Sequence, residues 1–261
     1  MSSKRHHTYS ATFSEGVDVS ISEILDSYSQ SGSILQRGRN TLKQVSFLGE
    51  EWVVKAFRIP GFPQDLTYGT FAKSKAEKAY VNAQRLLQLG FHTPKPIGFI
   101  ENKEGAKLKD SYYICEYLAN RQTLADVWKN DPEAAQKMMP ELVQMISDMH
   151  DKGIIHRDLN PNNLLIPAET SLSETFSFSM VDINRITWEE KPLALEQRIG
   201  NLSRLFHNNK DYKEQTVRCY AEIAGADLDK CEQYLEKAAK KTAAYFRTKK
   251  KIRRIFPKKN K

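Results

Sequence analysis

Cysteine is scarce, with three residues (Cys115, Cys219, Cys231) in a chain of 261. They are scattered, odd in number and never spaced like paired metal ligands, a usage that suits a reducing compartment. No apolar run approaches the roughly 18 residues needed to cross a bilayer. The opening Met1-Ser2-Ser3-Lys4-Arg5-His6-His7 has no secretory apolar core, so the expected location is the cytosol. No GxxxxGK[ST] string occurs, which disfavours a P-loop phosphate cradle. Internal repeats and long low-complexity linkers are missing too. Acid is absent from residues 245–261, which hold nine basic residues. Without them the net charge of +8 becomes −1, from 31 basic and 32 acidic residues, so a near-neutral body carries a cationic end. That end reads as a solvated tail or as a partner for an anionic membrane surface, since Ile252, Ile255 and Phe256 interleave with the charges. Nucleic acid is the less favoured partner.

What is present is enough apolar content, 40%, for a substantial core in one two-lobed domain or two small ones. Residues 1–30 are Ser-rich and read as a loosely packed lead-in. From Gln36 to Ile59 the pattern predicts paired strands, with alternation at Val45 and Phe47, a turn at Gly49-Glu50 and an extended run from Trp52 to Phe57. A loop at 60–70 follows. Ala76, Ala79/Tyr80, Ala83 and Leu86/Leu87 then recur at helical spacing, and Gly90 ends the segment. Strands are expected near Ile97–Ile100 and Tyr112–Tyr117, around a charged turn at 101–110. A long helix is expected from about Pro132 to Asp151, closed by Gly153. Further helices are predicted near 193–207, 213–224 and 228–246. The expected class is α+β: a β-rich N-terminal lobe (1–118), a helical C-terminal lobe (119–246) and a basic tail (247–261).

The most informative string is His156-Arg157-Asp158-Leu159-Asn160-Pro161-Asn162-Asn163-Leu164-Leu165, followed by Val181-Asp182. An acid five residues ahead of an amide, with a second acid at a strand end 19 residues later, is the order of a kinase-type phosphotransfer site. Asp158, in a loop closed by Pro161, is the candidate base for a hydroxyl proton. Asn163 and Asp182 are the candidate Mg²⁺ ligands, because that ion takes oxygen donors and shares its shell with phosphates. Lys55 lies in a strand, where lysine is disfavoured, and is the candidate cation for the α and β phosphates of ATP. Glu77, the only acid between Phe71 and Leu89, is its expected partner. His156 reads as a structural residue of the loop.

Two parts depart from that order. Gln36-Arg37-Gly38-Arg39-Asn40-Thr41 stands where a phosphate-covering loop belongs but has one glycine; Gly38, Arg39 and Asn40 are the candidate contacts. After Asp182 comes Ile183-Asn184-Arg185 with no Phe-Gly, and no Ala-Pro-Glu follows, so a constitutively built site is the simpler expectation. Between the lobes, Glu116 and Leu118 are candidate main-chain contacts for adenine.

With these residues placed, the chain resembles the protein-kinase-like superfamily over roughly residues 34–210. More narrowly it is similar to the bacterial lipopolysaccharide core kinases, the 3-deoxy-manno-octulosonic acid (Kdo) and heptose kinase group. Val181-Asp182-Ile183-Asn184-Arg185 resembles that group's hydrophobic-Asp-Phe-Asp-Arg element, with Asn184 in place of the second acid. Trp188 followed by Gly200-Asn201-Leu202-Ser203-Arg204-Leu205 resembles its Asn-Leu-x-Arg-Leu helix, and Val54-Lys55-Ala56-Phe57-Arg58 with Gly61 its lysine strand. The resemblance implies ATP-dependent phosphate transfer to a sugar hydroxyl of the lipopolysaccharide inner core, at the cytosolic face of the inner membrane. The string from Asp158 to Asn163 is also close to the protein-kinase pattern, which leaves a protein acceptor open, and the one-glycine loop leaves a non-catalytic kinase-like binding module as a further alternative.

Overall fold

The computed structural model describes residues 7–47, 49–58, 73–168, 176–206 and 212–255. In chain order the elements are β1 (His7–Phe13), α1 (Ile21–Gln30), β2 (Ser33–Arg37), β3 (Thr41–Phe47), β4 (Glu50–Arg58), α2 (Lys75–Gln88), β5 (Pro96–Glu104), β6 (Lys107–Glu116) and β7 (Arg121–Thr123). There follow α3 (Leu124–Asn130), α4 (Pro132–Lys137), α5 (Met139–Asp151), β8 (Ile154–His156), β9 (Leu164–Pro167), β10 (Ser179–Met180) and β11 (Ile186–Trp188). The chain ends with α6 (Leu195–Leu202), α7 (Lys213–Ile223) and α8 (Leu228–Ile255).

These elements form two compact units. The first joins the described residues up to Gln122 with Leu164–Ala168 and Ser177–Arg185; the second joins Thr123–Asn163 with the described residues from Ile186 onward. The division is not the single linear cut that the sequence suggests. β9 and β10 return to pair in the order β10-β9-β7, which carries Asp182 into the sheet-rich unit.

In the first unit an antiparallel sheet of order β1-β5-β6-β4-β3-β2 follows from strict alternation. Trp52 and Val54 face a core of Val45, Ile97, Ile100 and Ile114, onto which α1 places Ile24. Burying Ile24 to 1% exposure contributes about 2 kcal/mol. Val53, Lys55 and Phe57 point to the opposite face. There α2 buries Ala76, Ala79, Tyr80, Ala83 and Leu86, with the Tyr80 ring 5.5 Å from Phe99. The Ser-rich start is not a loose lead-in. β1 pairs with β5 from His7↔Glu104 to Phe13↔Gly98, and Ser20 and Glu23 form a reciprocal cap on α1. A Cβ at Gly98 would lie 2.4 Å from the Phe13 ring, so β1 docks only over a glycine. β5 and β6 run far into the segment expected as a turn, which shrinks to Gly105 and Ala106. The loop expected at 60–70, with Gly61, lies outside the described residues.

The second unit is helical apart from the antiparallel β8–β11 pair. Its expected long helix is two: α4 ends at Lys137, and α5 restarts at Met139 with Pro140 in its first turn, where a missing N–H is harmless. Leu142, Val143, Ile146, Met149 and His150 are the buried face of α5, which packs on α7. Trp128 of α3 stacks on Tyr212 at 4.9 Å. The segment expected as one helix near 193–207 is α6 followed by a 3₁₀ turn, Ser203–Phe206. α8 continues to Ile255, so much of the basic run is helical instead of a separate tail. Among the described residues, no helix is long and apolar enough to cross a membrane.

Candidate active site

Lys55 sits mid-strand, paired across the ladder with Leu42 and Tyr113. Its side chain is 12% exposed, and its Nζ lies 5.3 Å over the Phe57 ring and 2.6 Å from Asp182 Oδ1. A half-desolvated ammonium needs such a partner. Asp182 itself has φ +55°, a left-handed conformation that costs an L-residue about 1–2 kcal/mol. Flanking bonds hold it there. Thr93 Oγ1 donates to the Met180 carbonyl (2.7 Å), the Met180 N–H to His92 O (2.9 Å) and Asn82 Nδ2 to Ile183 O (2.8 Å). Backbone strain fixed by surrounding contacts clusters at functional positions.

Glu77 does not partner Lys55 in this structure. Its N–H is capped by Ser74 Oγ, and its carboxylate lies 3.3 Å from Lys73, one turn earlier, while Lys55 is engaged by Asp182. In the same turn stands Lys75, a residue that sequence reading missed. Burial first, then Arg39, push its ammonium pKa below the usual lysine range; Arg185 and Lys55 act in the same sense and Asp182 against it. Arg39, Arg185 and Lys55 thus all act against the Lys75 charge, with the Asp182 carboxylate opposing them. Lys75 also opens α2, where a cation opposes the helix dipole. A lysine at that first helical position was the available signal. The surplus of positive charge suits a polyanion.

Gly38, Arg39 and Asn40 make the turn between β2 and β3, just beyond the Arg37↔Thr41 pair. Asn40 Oδ1 is buried with no hydrogen-bond partner among the described residues. At the end of β6, the Glu116 N–H is taken by Lys95 O (2.9 Å), and the Glu116 carboxylate accepts the Lys95 N–H (3.1 Å). Leu118, half-buried, follows in the extended stretch after that strand.

In the second unit the loop after β8 is closed on itself. The Asp158 N–H donates to His156 Nδ1 (3.2 Å) and the Leu159 N–H to His156 O (3.1 Å). The Asp158 carbonyl accepts from Asn160 Nδ2 (3.0 Å) and Asn163 Nδ2 (2.8 Å). Arg157 Nε reaches Thr187 Oγ1 on β11 (3.1 Å). Because the Asn163 nitrogen is committed to that carbonyl, its Oδ1 is the atom it can offer a cation. His156 is fully buried, in line with a structural role.

The structure therefore joins Lys55 to Asp182 and Asp158 to Asn163, one pair in each unit. Among the described residues, no group of three or more His, Cys, Asp or Glu is arranged to hold a metal. Each unit offers one oxygen donor of the kind Mg²⁺ takes, the Asp182 carboxylate in the first and the Asn163 amide oxygen in the second.

The family described as "Lipopolysaccharide kinase (Kdo/WaaP) family" matches residues 61–222. Among curated proteins, 3-deoxy-D-manno-octulosonic acid kinase of Mannheimia succiniciproducens is 27% identical over 144 residues, 55% of this chain and 57% of that protein. The serine/threonine-protein kinase greatwall of Mus musculus is 38% identical over 78 residues, 28% of this chain and 9% of that protein. The chain thus spans little more than half of the first relative and a small part of the second. Among solved structures, one described as WaaP in complex with acyl carrier protein superposes with a TM-score of 0.59 at 19% identity, covering 84% of this chain and 92% of that one. At that identity the likeness concerns the fold.

Proposed function

We propose that this chain, which belongs to the lipopolysaccharide kinase (Kdo/WaaP) family, transfers the γ-phosphate of ATP to a sugar hydroxyl, Kdo or heptose, of the lipopolysaccharide inner core. The observation that carries the reading is the Lys55–Asp182 pair, drawn together at 2.6 Å from positions 127 residues apart, with Asp182 held in left-handed backbone. Lys55 neutralises the α and β phosphates, and Arg39, Gly38 and Asn40 cover them from the β2–β3 turn. Glu77, in the first turn of α2, steadies Lys55 when the Asp182 carboxylate turns to a cation. Asp182 and Asn163 each supply one oxygen to Mg²⁺, which when bound neutralises phosphate charge. Asp158 orients the acceptor hydroxyl and takes its proton. Glu116 and Leu118 present main chain to adenine. The basic residues from Arg247 onward suit an anionic lipid acceptor, with the enzyme peripheral on the cytosolic face of the inner membrane.

Incubating the protein with γ-labelled ATP, Mg²⁺ and either Kdo-bearing lipid A, heptose-bearing core or a protein extract tests the reading. Label should enter a sugar acceptor and be lost in Asp158→Ala, by about 10²–10⁴-fold for a missing general base. Label confined to protein would instead make it a protein kinase.

A further inference from the structure

A chain of buried polar groups in the second unit ends on the loop that carries Asp158. Asn201 of α6, 2% exposed, donates Nδ2–H to the His156 carbonyl at 2.8 Å. Its Oδ1 lies 3.2 Å from His150 Nε2, and His150 Nδ1 lies 2.7 Å from the Tyr220 hydroxyl on α7. Tyr220 is in turn bonded by Arg198 and Ser147, and Arg198 pairs with Asp151 at 2.6 Å.

One atom fixes every proton in this chain. A backbone carbonyl only accepts, so Asn201 must turn its nitrogen to His156 and its oxygen to His150. His150 must then carry its proton on Nε2, which leaves Nδ1 bare to accept from Tyr220. The Tyr220 oxygen, having given its proton, accepts from Arg198. His150 has to be neutral for this order to hold, and burial lowers its pKa to about 4. The His156 end is the hub of the loop, since its carbonyl also takes the Leu159 N–H and its ring takes the Asp158 N–H.

We infer that Tyr220 and His150 are positioning residues: through Asn201 they fix the His156 carbonyl, and with it the backbone that presents Asp158. Their side chains are fully buried and reach the loop through the Asn201–His156 bond, so they act on the reaction through loop geometry. The inference rests on the phosphotransfer reading for its catalytic consequence, but not for its structural one.

Two readouts separate these. Hydrogen exchange of the Asp158 and Leu159 amides is measured without nucleotide or acceptor, and kcat and KM for ATP are measured on Kdo-bearing lipid A. Tyr220→Phe and Asn201→Ala should speed that exchange about tenfold, the equivalent of one lost buried hydrogen bond. They should also lower kcat about tenfold with KM for ATP unchanged. Val217→Ala, a core truncation on the same helix, controls for stability loss and should change neither. Glutamine offers an N–H and a carbonyl along the same line, so His150→Gln should retain more kcat than His150→Phe. The proposal is overturned if exchange and kcat in Tyr220→Phe and Asn201→Ala match Val217→Ala at equal melting temperature, or if exchange rises while kcat stays at the wild-type value. Wild-type protein that transfers no phosphate to the lipid would refute the acceptor, whereas unchanged exchange would refute the relay.

Discussion

Gly153 links the end of α5 to β8, three residues before His156, and Gly153→Ala should be among the most damaging single-methyl changes in the chain. The glycine has φ +70°, so an alanine there takes on a left-handed cost of about 1–2 kcal/mol. Space is the larger difficulty: an added Cβ would lie 2.3 Å from Glu189 O and 2.9 Å from Lys191 O, both backbone atoms that no rotamer change can move. Residues 189–191 must shift, which breaks the Glu189 N–H bond to Gly153 O (2.8 Å) and loosens the adjoining Ile154↔Trp188 pair. One lost buried bond adds about 1 kcal/mol. The sum is about 2–3 kcal/mol, or roughly 4–12 °C in melting temperature for a chain of this size. Thermal melts of Gly153→Ala and Gly200→Ala provide the test. Gly200 lies inside α6 with nothing within 4 Å of a built Cβ, so alanine there should raise stability by up to ~1 kcal/mol. A Gly153→Ala variant melting within about 2 °C of wild type would refute the packing argument.

Acid should unfold the protein partly through His150. Its folded pKa of about 4 lies below the ordinary 6.5, so the unfolded chain takes up the proton first; stability complete above pH 6.5 is lost as pH falls toward 4, by up to ~3 kcal/mol. Urea midpoints from pH 7 to 4 read this loss, and His150→Gln should flatten that part of the profile. Thiol labelling of the native protein should be confined to Cys219, because Cys115 and Cys231 are buried and burial pushes the Cys115 thiol up to about 12. Asp182→Asn should abolish the Mg²⁺-dependent part of the thermal shift produced by ATP while leaving the fold intact. Lys75→Ala should raise the melting temperature of the nucleotide-free protein and weaken ADP binding; a fall in melting temperature would show that the adverse cations around it are compensated elsewhere.

Local signals were readable where one stretch of chain contains its own cause. The alternation from Trp52 to Phe57 gave β4, and the apolar spacing from Ala76 to Leu86 gave α2. The reciprocal Ser20–Glu23 cap was equally local but was masked by serine-rich composition around it. Pro140, which marks the α4–α5 break, was read as helix interior. What no local pattern encodes is which partner a charge meets. Lys55 has Glu77 as its nearest plausible acid in sequence, yet the closing of β9 and β10 onto β7 delivers Asp182 from 127 residues away. The left-handed backbone of Asp182 likewise follows from the bonds made by Asn82 and Thr93, which the composition around Asp182 does not announce. Conversely, the Asp158 loop was legible because its asparagines bond within the same eight residues.

The Lys55–Asp182 pair in the first unit and the Asp158 loop in the second differ in how their interactions are satisfied. In the first unit unfavourable features accumulate: a left-handed backbone at Asp182, and at Lys75 a cation on the positive end of a helix opposed by Arg39, Arg185 and Lys55. In the proposed reaction a nucleotide's phosphates relieve that repulsion as well as forming contacts. Around Asp158 the reverse holds. The Asp158, Leu159, Asn162 and Asn163 amides have acceptors within the loop, and the His156 carbonyl is anchored through Asn201. A base must already be aimed when the hydroxyl arrives, because reorganising it during proton transfer would raise the barrier. Under the proposed phosphotransfer, electrostatic tension at Lys75 and completed hydrogen bonding beneath Asp158 are what moving a highly charged group to a neutral hydroxyl calls for.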